Sequence, residues 1–299
     1  MLKNERPLSH HYLVLAKNAR NDEYYTKLLS IEQEVPHYSF RNKTVYCNCD
    51  DLTSNFVIYF MINYYNLGLK RLIVTGIGGY FFEYDGKTMK KRRINGDFRS
   101  AECRRLLQEA DIVVTNPPFS LFREFMRTLI GSGVKFLVIG PKTAISYKDV
   151  FPYLANGMIR FGYSIPNEFL DPEGNTVKLT GLCRWFTNLD SDSPKSIRMF
   201  TATYHPKHYR QFDHYPAINV DRTEDIPCDY DGLMGVPITA LEQLDFNQYE
   251  VVDMIARYAV LDHTHDTPGH QLTEVNGKPK FSRLIIRKKN IINELKKVL

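Results

Sequence analysis

Short apolar runs alternate with helix-like stretches through the first 190 residues, and this alternation restricts the fold more than any other feature of the chain. The runs at 43–49, 71–75, 112–114 and 135–139 have strand length, are rich in Val, Ile, Leu and Phe, and end in polar residues, Gly or Pro. Helical stretches lie between them at 55–67 (opened by Ser54, closed by Gly68), at 100–109 and at 121–130. Pro141 and Thr143 open a further helix, and runs at 158–163 and 182–187 enclose a polar segment, 166–178, that reads as a hairpin or loop. Strand–helix–strand repeats join parallel neighbours through right-handed crossovers. The expected fold is therefore α/β, with a doubly wound, mostly parallel sheet.

Upstream, Thr26 or Asp22 is expected to cap a helix over 27–35; Tyr24 and Tyr25 then read either as packing residues or as part of a lid. Gly78-Gly79 through Gly86 predicts a hairpin excursion. It leads into the run Lys90, Lys91, Arg92 and Arg93, which reads as a solvated face or as a phosphate contact. Residues 188–196 are polar and turn-forming and mark a boundary. Beyond it come short strand-like runs separated by turns, including the hairpin signal Asn276-Gly277. The expected organisation is a larger domain over 1–190 and a smaller mixed domain over 191–299.

Composition narrows the function. At 43% hydrophobic residues over 299 positions, the chain can bury a substantial core and is not a disordered polymer. No apolar run approaches the ~20 residues of a membrane span and no signal-peptide pattern opens the chain, so a cytoplasmic protein without membrane association is expected. Five scattered cysteines argue against a disulfide framework. Cys47 and Cys49 lack the second pair of a zinc site, so no structural metal is expected. Asp262, His263, His265, Asp266 and His270 would suit a metal-dependent nuclease, but Pro268 and Gly269 beside them favour a solvated loop. The net charge of +5 fits a polyanionic partner.

The run at 112–114 ends in Asn116-Pro117-Pro118-Phe119, at the carboxyl end of a strand, where an α/β sheet places its ligand crevice. Two prolines stop the strand and hold a rigid turn. A side-chain carbonyl at Asn116, the Pro117 backbone carbonyl and the Phe119 ring can together grip a flat group that bears an amine. Such an amine is a poor nucleophile, because its lone pair is delocalised into the ring. Hydrogen-bond acceptors that favour its pyramidal form assist attack, and a stacked ring fixes its plane. Upstream, Asp50 or Asp51 after the first strand could hold ribose hydroxyls. Asp97, which reads equally as a helix cap, and Phe98 could hold an adenine.

These pieces carry a resemblance. Asp22 to Thr26, Val45 to Asp51, Gly96 to Ser100, Asp111 to Glu124, Arg184 to Leu189 and Asp229 to Thr239, in this order, resemble the EcoRI-type adenine-specific DNA methyltransferases. The resemblance covers most of residues 21–290. It implies a Rossmann-like methyltransferase sheet, S-adenosylmethionine as methyl donor and double-stranded DNA as substrate, with the target adenine flipped out of the helix. It implies that Tyr24, Tyr25 and Thr26 close over the methionine end of the cofactor, that Asn48, Cys49 and Asp50 form the first cofactor motif, and that Asp97 and Phe98 hold the adenine. Asn116, Pro117, Pro118 and Phe119 become the catalytic motif. The C-terminal domain becomes the target-recognition domain, whose basic residues Lys278, Arg283, Arg287, Lys288 and Lys289 are the expected DNA contacts. It further implies a restriction–modification setting, with a cognate restriction endonuclease acting separately; a monomer would serve.

The chain departs from most methyltransferases in having no glycine-rich turn after its first strand and no acid directly after the second, where Gly76-Ile77-Gly78 stands; Glu83 and Asp85 are the substitutes at hand. RNA adenine or protein glutamine methyltransferases use related motifs. A catalytically silent DNA-binding protein of the same fold would not need an intact Asn116 to Phe119.

Overall fold

A computed structural model describes residues 24–191, 199–255 and 272–289. Asp22 and Glu23, most of the boundary segment and the His/Asp cluster at 262–270 lie outside the described residues. The chain divides into two compact units, Met1–Phe151 with Ile159–Pro194, and Pro152–Met158 with Lys195–Leu299.

The first unit begins with a two-residue strand, β1 (Tyr25–Thr26), then α1 (Leu28–Glu34), β2 (Thr44–Cys47), α2 (Asn55–Ile62) and α3 (Tyr64–Leu67). There follow β3 (Arg71–Gly76), β4 (Tyr80–Tyr84), β5 (Met89–Arg93), α4 (Ala101–Glu109), β6 (Ile112–Thr115), α5 (Phe122–Ser132) and β7 (Lys135–Pro141). The unit closes with β8 (Arg160–Phe161), β9 (Glu168–Leu170), β10 (Thr176–Lys178) and β11 (Cys183–Thr187).

Eight strands form one sheet in the order β5-β4-β3-β2-β6-β7-β11-β8. Its centre, β3-β2-β6-β7, is parallel. Both margins are antiparallel. The sheet is therefore mixed rather than mostly parallel, because its outer connections are hairpins and reversals instead of helical crossovers. Val45, Cys47, Leu72, Val74, Ile112, Val114, Leu137 and Ile139 alternate along the four central strands and join the core that holds Phe56, Phe60 and Trp185. Their neighbours Tyr46, Ile73, Val113 and Val138 are fully buried as well. Burial of both faces explains why these runs read as continuous apolar sequence.

Several local expectations are refined. The stretch 55–67 breaks into two helices at Asn63, which leaves helical geometry (φ −95°, ψ 12°) while both its backbone N–H and its side chain donate to the Tyr59 carbonyl. Ser54 caps α2 by accepting from the Phe56 N–H, and Gly68 ends α3 in a left-handed conformation (φ 63°). The segment after Pro141 is a 3-10 turn, Lys142–Ser146, instead of an α-helix. Thr26 does not cap α1. Lys27 stands at that position without a side-chain cap, and Thr26 is instead part of a strand. Tyr25 and Thr26 pair with Leu170 and Phe169, so β1, β9 and β10 form a separate three-stranded sheet.

The second unit contains β12 (Ile218–Asn219), β13 (Met234–Pro237), β14 (Tyr249–Ile255), β15 (Glu274–Val275), β16 (Lys278–Pro279) and β17 (Arg283–Lys288). Four of these strands form a sheet in the order β12-β13-β17-β14. Asn276 (φ 52°) and Gly277 (φ 68°) make the tight turn between β15 and β16, the left-handed pair that such a two-residue hairpin needs.

Candidate active site

A cavity of about 250 Å³ opens at the carboxyl ends of β2, β3 and β6. Its floor is a place where three stretches of backbone meet. A Cβ added at Gly76 would lie 2.4 Å from the Asp50 carbonyl oxygen, and one added at Gly96 would lie 1.8 Å from the Gly76 carbonyl oxygen. Neither position can carry a side chain without moving backbone. The missing glycine-rich turn after β2 is thus offset by glycines at the end of β3 and before α4.

Most of the residues expected from the sequence converge on this cavity. Tyr24, Tyr25, Thr26, Cys49, Asp50, Asp97, Phe98 and the whole Asn116-Pro117-Pro118-Phe119 turn line it. Asn48 does not. It is buried beside the strand end, and its Oδ1 has no hydrogen-bond partner. Glu83 and Asp85 do not line it either: Glu83 pairs with Arg71 and Lys90, and Asp85 accepts from Lys87 and Thr88 inside the hairpin turn.

Asn116 is held by one contact that decides its orientation. Its Nδ2 donates to the Tyr24 backbone carbonyl at 2.6 Å, across 92 residues of sequence. That carbonyl can only accept, so the amide cannot be turned round. The Oδ1 of Asn116 is left shielded and without a partner. Buried acceptors are rarely left unpaired, and an unpaired one carries a desolvation cost that a bound donor would relieve. Pro118 is used by the turn itself, its carbonyl accepting from the Leu121 N–H at 3.0 Å. The Pro117 carbonyl accepts from no protein group among the described residues. Phe119 opens the 3-10 turn Phe119–Leu121, with its ring packed against the edge of the main core.

The carboxylates divide by their partners. Asp50 accepts from Ser54 Oγ at 2.5 Å and from Thr115 Oγ1 at 2.7 Å, tying the ends of β2 and β6 to the start of α2. Burial pushes its carboxyl up to about 6, against those two hydrogen bonds, which lower it. Asp51 makes a local turn, its Oδ1 accepting from the N–H and hydroxyl of Thr53. Asp97 is gripped by Arg99 through two side-chain hydrogen bonds, 2.9 and 2.6 Å, and these hold its carboxyl below the usual range. Asp97 does not cap α4; Ser100 does, accepting from the Cys103 N–H. Phe98 is buried, its ring edge-on to Phe125 at 5.1 Å.

The raised value at Asp50 has a signed consequence. A carboxyl whose value in the folded chain exceeds its ordinary 3.8 stabilises the fold below about pH 4, and that contribution is lost as pH rises through about 6. Relative to Asp50→Asn, the wild-type chain is expected to lose on the order of 3 kcal/mol between those limits. Urea unfolding of both proteins across this range measures the difference. A pH-independent gap would show that Asp50 is not desolvated.

Sequence reading missed part of the lining. Arg99, Asn55, Ile77, Gly78 and Tyr80 also face the cavity. The Gly76-Ile77-Gly78 run after a strand was the available signal for the last three. Nothing local marked Asn55, whose Nδ2 donates to the Thr26 carbonyl at 2.8 Å.

The expected DNA contacts fare differently. Arg283 is 6% exposed, bonded to Asn219, Asp221 and the Phe281 carbonyl. Arg287 is paired with Glu250 and Lys288 donates to the Cys228 carbonyl. The sheet turns Arg283 inward, whereas Arg287 stays half-exposed and its pair with Glu250 lies at the surface. Lys278 and Lys289 keep side chains without such a partner among the described residues. Among those residues there is also no cluster of His, Cys, Asp or Glu that could hold a metal, and no helix long and apolar enough to cross a membrane.

A family model described as adenine-specific methyltransferase EcoRI matches residues 12–93 and 84–289. The chain belongs to the EcoRI-type adenine-specific methyltransferase family. Type II methyltransferase M.EcoRI of Escherichia coli is 35% identical over 92% of this chain and 96% of its own length. M.MgeORF184P of Mycoplasma genitalium is 36% identical, and M.MpnI of Mycoplasma pneumoniae 35%, each over 94% of this chain and all of its own length. Both are also named Type II methyltransferases. No solved structure gives a significant match.

Proposed function

We propose that the chain methylates the N6 amino group of adenine in a specific sequence of double-stranded DNA, drawing the methyl group from S-adenosylmethionine. One observation carries the reading: Asn116 Oδ1 is shielded, unpartnered and fixed by the Tyr24 carbonyl at the end of a strand. In the first unit, the parallel centre of the sheet serves as a Rossmann-like scaffold with the cavity at its strand ends.

The residues around the cavity fit the cofactor. The unpartnered, buried hydroxyl of Thr26 suits its methionine end. Asp51 Oδ2, which accepts from nothing in the local turn, suits a ribose hydroxyl. Asp97 and Phe98 suit its adenine. The glycines at 76 and 96 allow the close approach of the backbones that surround them in the cavity lining. When bound, S-adenosylmethionine supplies an electrophilic methyl carbon on a sulfonium. Asn116 Oδ1 and the Pro117 carbonyl accept hydrogen bonds from the substrate amine, which draws its nitrogen toward the pyramidal form that develops in the transition state. Phe119 stacks on the base and fixes its plane. No strong base is needed, because the nitrogen sheds its proton only after becoming cationic. A paired base could not reach this cavity, so the adenine must leave the stack.

The second unit is assigned to target recognition. The relatives' naming as Type II methyltransferases supports a restriction–modification setting, in which a separate endonuclease with the same recognition sequence would be this chain's counterpart. The test is to offer tritiated S-adenosylmethionine with duplex DNA, structured RNA and a protein extract in parallel. Label is expected in the DNA. Label confined to RNA or protein would overturn the assignment.

A further inference from the structure

The hairpin of β4 and β5 forms the margin of the large sheet, and its second strand is exposed at all five positions. Its four cations differ in their surroundings. Lys90 is paired with Glu83 at 3.1 Å and Arg92 with Glu102 at 3.2 Å. Lys91 and Arg93, on the opposite face of the strand, have no carboxylate partner among the described residues. Their heads lie over aromatic rings of β4, as does the Arg92 guanidinium, 4.5 Å from the ring centre of Phe81 on the other face. Lys91 Nζ is 4.7 Å from the ring centre of Tyr80 and 5.1 Å from that of Phe82, and the Arg93 guanidinium is 5.3 Å from that of Tyr80. Tyr80 itself lines the active-site cavity.

We propose that Lys91 and Arg93, propped on Tyr80, contact backbone phosphates of the DNA strand beside the target nucleotide. This rests on the reading of the chain as a DNA methyltransferase. The geometry favours a phosphate over plain solvation. A strand edge that only needed protection from pairing would gain equally from all four cations. Here the two on one face are ion-paired with Glu83 and Glu102, while the two on the face of Tyr80, whose ring lines the cavity, have no carboxylate partner among the described residues. A flipped nucleotide stays covalently joined to its neighbours, so phosphates must pass close to the mouth of the cavity. The contact would supply affinity and register without reading sequence.

Within-strand variants test this. Binding of a fluorescein-labelled duplex of random sequence is measured by anisotropy between about 50 and 200 mM salt, the range over which phosphate contacts show their counterion release. Lys91→Ala/Arg93→Ala is expected to weaken binding roughly 10- to 100-fold at the low-salt end and to reduce the log–log salt slope by about two. Lys90→Ala/Arg92→Ala removes the same formal charge and should leave the slope unchanged. An unaltered slope in the first variant, or an equal loss in both, would overturn the proposal. Thermal unfolding and S-adenosylmethionine binding of both variants show whether either has failed to fold; a conservative Lys91→Gln/Arg93→Gln pair, expected to show the same slope loss, replaces the first if it has. The acceptor assay on the wild-type chain separates the two ideas. Label in DNA with an unaltered slope sinks only the phosphate contact, and label in RNA or protein sinks the function.

Discussion

Asn116→Ala is expected to slow methyl transfer by at least about a hundredfold, the scale on which removal of one preorganised polar group from a transition-state site is felt. The variant should bind DNA nearly as tightly as the wild type, since Asn116 makes no phosphate contact in this account. The loss has two parts. The Oδ1 acceptor disappears, so nothing on that side favours the pyramidal nitrogen. The Nδ2 donor disappears as well, and the Tyr24 carbonyl it held at 2.6 Å is released together with the start of β1. Asn116→Asp separates them. It restores an acceptor where Oδ1 stood, but sets a second oxygen against the Tyr24 carbonyl with no proton between, so it too should be inactive near neutrality. Single-turnover rates with saturating DNA measure both variants. Wild-type turnover in the alanine variant would remove Asn116 from the mechanism.

Gly96→Ala should be the most damaging small substitution in the first unit. The new Cβ would stand 1.8 Å from the Gly76 carbonyl oxygen and 2.7 Å from its carbon, and both are backbone atoms at the end of β3. Gly76 cannot retreat freely, because its own Cα side lies against the Asp50 carbonyl. Relief must come from shifting the ends of β2 and β3 or the loop that carries Asp97 and Phe98. Overpacking of this kind costs about 1–3 kcal/mol. The larger effect should be on the cofactor, because the shifted residues form the cavity floor. Calorimetric titration with S-adenosylmethionine is expected to show binding lost or greatly weakened. Gly131→Ala provides the control. A Cβ there, within helix α5, meets nothing within 4 Å, and the change should be neutral or stabilising by about 0.4–1 kcal/mol. Wild-type cofactor affinity in Gly96→Ala would show that the convergence of these backbones does not build the site.

What could be read from the sequence was what local patterning encodes. The four central strands are buried on both faces and carry apolar side chains at every position, so 45–47, 72–74, 112–114 and 136–139 could be found without a structure. Asn116 to Phe119 could be placed because a strand, two prolines and a helix fix its position. What depends on distant partners could not be read. Thr26 looks like a helix cap beside α1, yet it pairs with Phe169 in a strand. Its role is set 143 residues away. Arg283 shows only a charge in sequence; Asn219 and Asp221 decide that it is internal. The hairpin after β3 is marked by Gly78-Gly79 and Gly86, but the reversal that sets β11 antiparallel to β7 is not reported by periodicity. The cavity glycines were visible, but their purpose lies in contacts between backbones from three separate segments.

The most direct test carries the tritiated methyl assay through to nucleosides. Duplex DNA labelled by the wild-type chain is digested and its nucleosides are separated, with unlabelled N6-methyladenine, N4-methylcytosine and 5-methylcytosine nucleosides as markers. The label should run entirely with N6-methyladenine, and Asn116→Ala should give none. Label running with either methylated cytosine would contradict the account of what the Asn116 site grips.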